Sequence, residues 1–181
     1  LEYQRPNKVI DAVLNAEVDL GIVSYPAATP DLAVIPWRSE RMVLVCHPKH
    51  HLASEQAVTA EHLQGEDFIG FDRDLSIRKE VDRYLRQRSV AIRVVLEFDN
   101  IETIKQAVEI GAGVSILPEP TVQQECRRGS LLAIRLIAPE LRRPIGIIHR
   151  QRKVFTPTAA KFVELLQEID ESQGDAPPKE T

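Results

Sequence analysis

The stretch from Phe98 to Pro118, FDNIETIKQAVEIGAGVSILP, decides the fold class because its hydrophobic period changes twice. Residues 92–98 enter it as a strand. Asn100 then opens a helix through Ile110, with Ile101, Ile104 and Val108 on the inner stripe and Gly111 placed to end it in a left-handed cap. Val114 to Leu117 follows as a short aliphatic strand, closed by Pro118.

The same alternation extends in both directions. Asn7 to Glu17 carries Ile10, Val13 and Leu14 on one helical face, with Asn7 placed as its cap. Leu20 to Val23 reads as a strand buried on both faces, and two further strands are expected at Leu32 to Trp37 and at Arg41 to Cys46. Thr59 to Leu63 suggests a short helix and Phe68 to Phe71 a strand. Ser76 to Arg88 suggests a longer helix with Ile77, Val81, Tyr84 and Leu85 inward. A short helical stretch around Thr121 to Cys126, strands at Leu131 to Leu136 and Ile145 to His149, and a helix from Thr156-Pro157 through Ile169 complete the order. Strands alternating with helices imply an α/β protein with a largely parallel sheet covered on both sides. Residues 171–181 read as a disordered tail.

Composition narrows the function. The 181 residues hold 23 Lys and Arg against 27 Asp and Glu, a net charge of −4, with 43% hydrophobic residues, which suits a globular chain with a substantial core. Mild acidity counts against this chain gripping DNA, since neutralising phosphates takes a concentrated surplus of Lys and Arg. No apolar run approaches the roughly 20 residues of a membrane span, and Leu1 to Lys8 lacks the build of a signal peptide. No membrane partner is expected. Cys46 and Cys126 allow one bridge at most, and reduced, cytoplasmic thiols are the default.

Several candidate chemistries fail on spacing. Cys46-His47 with His50 and His51 offers metal-ligand types, but the spacing fits no standard zinc pattern, so a buried cysteine beside a solvated turn is the better account. Gly111-Ala112-Gly113 follows a helix and precedes a strand, the reverse of a nucleotide fingerprint, and suits helix capping with tight entry into the strand. Neither a phosphate-cradling lysine loop nor a nucleophile elbow occurs, and no serine sits in a recognisable nucleophile motif. No cofactor and no metal are expected. What remains is a set of polar turns that open helices: Arg5-Pro6-Asn7, Asp74-Leu75-Ser76-Ile77-Arg78 and Asp99-Asn100-Ile101. At the carboxyl ends of parallel strands, helix N-termini offer N–H groups and partial positive charge to a carboxylate or phosphate. Plain capping by Ser76 and Asn100, with no ligand, explains the same residues equally well.

Several segments together resemble the effector-binding domain of LysR-type transcriptional regulators. They are Val18-Asp19-Leu20-Gly21-Ile22-Val23, Met42 to Pro48 running on to His51-Leu52-Ala53, Phe98 to Thr103 followed by Val108 to Pro118, and Arg143 to Arg150. The likeness spans about Leu1 to Ile169, in the family's order. It implies two Rossmann-like subdomains of the type 2 periplasmic-binding-protein kind, with a small effector in a cleft between them. Subdomain I would combine residues 1–40 with 144–170, and subdomain II would be residues 41–143. The family's cleft positions fall on Arg5, Pro6 and Asn7, on Ser76 and Ile77, and on Asn100 and Ile101, with Arg5 and Arg78 as candidates for charge recognition.

Two departures from the family qualify that picture. Ser76 stands where peroxide-sensing members carry a reactive cysteine, so a metabolite sensor is expected rather than a thiol switch. The chain also opens at what looks like the second strand of subdomain I, without the usual first strand and helix or the N-terminal helix-turn-helix. It therefore reads as a piece of a longer protein, with subdomain I incomplete. The resemblance implies a cytoplasmic regulator, not an enzyme, that binds a small and anionic effector, forms a homodimer or homotetramer, and reaches DNA through the absent helix-turn-helix. The alternatives are an exported solute-binding protein of the same fold and a dehydratase-like enzyme on it.

Overall fold

The computed structural model describes residues 4–173. The chain runs α1 (Pro6–Leu14), β1 (Gly21–Ser24), β2 (Leu32–Cys46), β3 (Ala57–Val58), β4 (Asp67–Phe71), α2 (Ser76–Gln87), β5 (Arg93–Phe98), α3 (Ile101–Glu109), β6 (Ser115–Pro118), α4 (Gln123–Arg128), β7 (Leu132–Leu136), β8 (Arg142–Arg150) and α5 (Pro157–Gln173). It divides into two compact units. One combines the residues up to Glu40 with those from Arg143 on, and the other is Arg41–Arg142.

In the first unit β1 pairs antiparallel with β8, from Gly21 opposite Ile148 to Ser24 opposite Ile145. The start of β2 flanks β8 on its other side. Val13, Val23, Leu32 and Ile148 form the core here, with Val9, Ile10 and Val34 packed against it. The start of α1 corrects the expected cap. Arg5 is the N-cap, without a side-chain bond, and Pro6 occupies the first turn, where its fixed φ suits the helix and its lack of an N–H costs nothing. Asn7 therefore lies inside the helix. Leu14, expected on the inner face of α1, is 39% exposed, and Ile22 is 38% exposed, so β1 alternates between a buried and an open face instead of being buried on both.

The second unit mixes parallel and antiparallel pairings, where the alternation predicted a largely parallel sheet. β4 and β5 are parallel, paired from Asp67 opposite Arg93 to Phe71 opposite Phe98, with one register shift between Phe68 and Ile69. A parallel bridge at Phe68 and Val114 links β4 to the entry of β6, through Ile69 N–H to Val114 O (2.8 Å) and Val114 N–H to Asp67 O (2.8 Å). β2 is antiparallel to both β6 and β7, and β3 is parallel to β7. Within this unit β2 thus runs against the other strands. Gly111 ends α3 at φ +77°, as its position in the sequence predicts. Gly113 has a different task, because a Cβ there would lie 2.5 Å from Asp67 O and force β4 and β6 apart. The inner stripe of α2, with Ile77, Val81, Tyr84 and Leu85, is buried as expected, and so are Ile104 and Val108 of α3.

Other expectations change. Leu32 to Trp37 and Arg41 to Cys46 are one continuous strand, because Arg38 and Glu40 between them pair with each other at 2.9 Å instead of entering a loop. β3 escaped notice because two residues carry no periodic signal. The N-cap of α2 is Leu75, so Ser76 is the first helical residue and not the cap. In the stretch read as a disordered tail, residues 171–173 continue α5, and the rest lies outside the described residues.

Candidate functional site

Because β4 and β5 are adjacent and parallel, the turns that follow them leave the sheet at the same edge. Phe71 and Phe98 end the two strands in register, and Asp72 N–H donates to Phe98 O at 2.9 Å, tying the turns together. The first turn delivers Ser76 and Ile77 at the start of α2, and the second delivers Asn100 and Ile101 at the start of α3. Four of the residues selected from the sequence are therefore brought to one carboxyl edge, where helix N-termini favour negative charge.

Asn100 caps α3. Its Oδ1 accepts from Thr103 N–H at 2.9 Å and from the Thr103 hydroxyl at 2.9 Å, and its Nδ2 donates to Asp99 Oδ1 at 3.1 Å. Ser76 is exposed, whereas Ile77 is 8% exposed and turns its side chain into the core, which leaves its backbone as the outward-facing part. Asp72, Asp74 and Asp99 accompany these turns, each engaged within the protein. Arg5, Pro6 and Asn7 are exposed at the start of α1 in the other unit.

Arg78 departs from the role of charge recognition. It is 5% exposed and its donors are used inside the unit: Nη1 donates to Phe71 O at 2.7 Å and to Glu97 Oε1 at 2.5 Å, and Nε donates to Asp82 Oδ1 at 2.8 Å. Burial disfavours its charge, but Asp82 and Glu97 outweigh that and raise its pKa. Reciprocally, the hydrogen bond from Arg78 holds the Glu97 carboxyl below its ordinary value. The guanidinium clasps β4, α2 and β5. A second buried cation escaped the sequence reading: Lys105, 6% exposed, reaches Glu102 and Glu125 at 2.9 Å and Thr121 O at 3.1 Å. Its signal was available, since it follows Ile104 on the inner stripe with Glu102 one turn before it.

The histidine cluster resolves differently from the way its sequence order suggested. His50, His51 and Glu66 bring possible ligand atoms within 4.8 Å of one another, with His51 Nε2 2.7 Å from Glu66 Oε1 and His50 Nε2 3.4 Å from Glu66 Oε2. Leu52 N–H, however, donates to His50 Nδ1 at 3.3 Å, which places the ring proton on Nε2, the nitrogen that a metal would need bare. The arrangement suits a hydrogen-bonded corner better than a metal centre. Burial, and then the neighbouring His51, lower the His50 pKa against the opposing pull of Glu66. Cys46 is fully buried and its thiol is pushed up to about 11, first by that burial and then by Cys126. A surface basin of about 860 Å³, lined by Leu14, Pro30, Asp31, Arg150, Gln151 and Arg152, involves none of the residues selected from the sequence.

Comparison with known proteins agrees with the fold. The family described as the LysR substrate binding domain matches residues 1–170. The HTH-type transcriptional regulator YeiE of Escherichia coli (strain K12) is 28% identical over 156 residues, covering 86% of this chain and 53% of YeiE. The chain thus spans about half the length of the curated relatives it matches. Among solved structures, the CcmR regulatory domain of Synechocystis PCC6803 in complex with 2-PG is 26% identical, with a TM-score of 0.80, covering 91% of this chain and 79% of that one. The QuiR effector-binding domain in complex with shikimate shares the fold at 17% identity, with a TM-score of 0.81, covering 93% and 79%. Among the described residues, no helix is long and apolar enough to cross a membrane.

Proposed function

Since the chain belongs to the LysR substrate-binding-domain family over residues 1–170, we propose that it is the effector-sensing part of a DNA-binding transcriptional regulator and that it binds a small anionic metabolite. The observation that carries the site is the pairing of two helix starts on one edge: Ser76 and Ile77 at α2, and Asn100 and Ile101 at α3, behind the adjacent parallel ends of β4 and β5. Arg5, Pro6 and Asn7 are the contribution of the other unit. Arg5 supplies the positive charge, and Arg78 supports the site from behind through Phe71 and Glu97.

The wider reading follows the family. The two units are regulatory subdomains, and the ligand shifts their equilibrium only as far as it prefers one arrangement over another. The intact regulator works in the cytoplasm as a homodimer or homotetramer, senses rather than catalyses, and contacts DNA through a helix-turn-helix outside this chain. The ligands of CcmR and QuiR, 2-PG and shikimate, are both small anions and set the chemical class to test first. Isothermal titration of 2-PG and shikimate into the intact regulator, with Asn100→Ala and Ser76→Ala beside the wild type, checks the placement. Binding weakened at least tenfold by the pair of substitutions supports it, and undiminished affinity in the double variant refutes it.

A further inference from the structure

The charge that the sequence assigned to Arg78 is not available at the carboxyl edge of β4 and β5, because that guanidinium is buried against Phe71, Asp82 and Glu97. Arg5 belongs to the other unit. An anion resting on the starts of α2 and α3 therefore calls for a cation supplied by the second unit itself. The turns before those helices, residues 72–75 and 99–100, hold three carboxylates, Asp72, Asp74 and Asp99, against one guanidinium, Arg73. Glu102, in the first turn of α3, is matched by Lys105 at 2.9 Å and leaves that balance unchanged. A helix N-terminus carries only about half a positive charge, so two of them fall short of three carboxylates. Without Arg73 the edge repels what the helix starts attract.

Arg73 is exposed but tethered. Its Nε donates to Glu97 Oε1 at 3.2 Å, the same oxygen that Arg78 Nη1 reaches at 2.5 Å. Arg78 is in turn fixed by Phe71 O and Asp82, so the anchor of Arg73 is itself held inside the unit. The turn that carries Arg73 is closed by Leu75 N–H to Asp72 O at 3.1 Å and joined to β5 by Asp72 N–H to Phe98 O at 2.9 Å. The Arg73 side chain is 79% exposed, and among the described residues no hydrogen bond occupies either of its Nη nitrogens. A guanidinium anchored at Nε keeps its Nη edge for a carboxylate or phosphate, whose two oxygens that edge matches.

We infer that Arg73 is the specificity-determining cation of the second unit, selecting ligands whose carboxylate or phosphate group takes both Nη donors at once. Glu97 is its positioning residue. The inference rests on the sensor reading and deepens it, by naming the cation that Arg78 does not supply.

A thiol at the first residue of α2 serves as a minimal anion to test it. Ser76→Cys is made in a Cys126→Ser background, where Cys46 stays silent because it is buried with its thiol pushed up to about 11. Alkylation by iodoacetamide is followed against pH at low ionic strength. Adding Arg73→Gln should raise the pKa of the new thiol by about 0.3 unit or more, the order expected of one full charge within about 7 Å in water. Arg73→Lys, which keeps the charge, should raise it less. Lys79, one turn along α2, is the rival cation. A smaller rise with Arg73→Gln, or an equal one with Lys79→Gln, overturns the inference. The second measurement titrates inorganic phosphate into the otherwise unaltered chain and follows the amides of Ser76 and Ile77 by nuclear magnetic resonance. Arg73→Gln should weaken the response about fivefold or more, with Arg73→Lys restoring only part of it because it lacks the fork. An equal response in Arg73→Gln, or none in the wild type, overturns the inference. The thiol readout uses no ligand, so it separates the two failures. If it holds while 2-PG and shikimate binding ignores Asn100 and Ser76, the sensor placement fails; if it fails while that binding depends on them, the role of Arg73 alone is refuted.

Discussion

Replacing Arg78 by alanine separates a structural clasp from a ligand contact. The substitution leaves Phe71 O buried without its 2.7 Å donor, an unmet acceptor worth about 1–3 kcal/mol. It also strips the buried arginine stem, roughly 1–2 kcal/mol of apolar burial. Asp82 loses Arg78 and Glu97 keeps only Arg73 at 3.2 Å, but their side chains are 36% and 32% exposed, so the lost ion pairs add only about 0–1 kcal/mol. The expected loss is about 3 kcal/mol, read as a lowered midpoint in urea unfolding followed by far-ultraviolet circular dichroism. Gly70→Ala supplies the control. Its Cβ would lie 2.8 Å from Nη1 of the Arg78 guanidinium, a group that three partners hold in place through Nη1 and Nε, so Gly70→Ala should cost about 1–2 kcal/mol in the wild type and clearly less in the Arg78→Ala background. A loss below about 0.5 kcal/mol for Arg78→Ala, or additive costs in the double variant, would refute the clasp.

Further outcomes follow from single contacts. Gly113→Ala drives a Cβ to 2.5 Å from Asp67 O, where backbone must move, and should lower stability by about 1–3 kcal/mol in the same urea assay. His50 has a lowered pKa in the folded chain, so the unfolded chain takes up its proton first as the pH falls below about 6.5. The protein should therefore lose stability as the pH falls through that value towards the lower native one. His50→Asn, which keeps an acceptor for Leu52 N–H and does not titrate, should lose less in melting curves between pH 7 and 5. With the Cys46 thiol pushed up to about 11, Ellman's reagent at pH 8 should find at most one reactive thiol per native chain, at half-buried Cys126, and two in urea. Two fast thiols in the native chain would contradict that burial.

The sequence made legible whatever is local. From β4 to β6 the helices begin and end on residues that act within one turn, such as Asn100 capping Thr103 and Gly111 at positive φ, and so the edge carrying Ser76 and Asn100 could be read directly. The continuity of β2 could not. Arg38-Ser39-Glu40 looks like a loop until Arg143, far along the chain, is seen beside Glu40. The role of Arg78 stayed hidden for the same reason, since Glu97 lies on another strand, although its place on the inner stripe with Val81 and Leu85 hinted at burial. The caps expected at Asn7 and Ser76 lie two residues and one residue earlier, at Arg5 and Leu75, within the usual limit of reading helix ends from composition.

Nuclear magnetic resonance mapping on isotope-labelled chain is the most direct measurement of the site. A panel of small carboxylates and phosphorylated acids, 2-PG among them, is titrated and backbone amide shifts are followed residue by residue. The account predicts that a compound that binds moves the amides of Ser76, Ile77, Asn100 and Ile101 together. A binder that leaves those four unmoved and shifts amides elsewhere, for instance around Arg150 and Arg152, would contradict it.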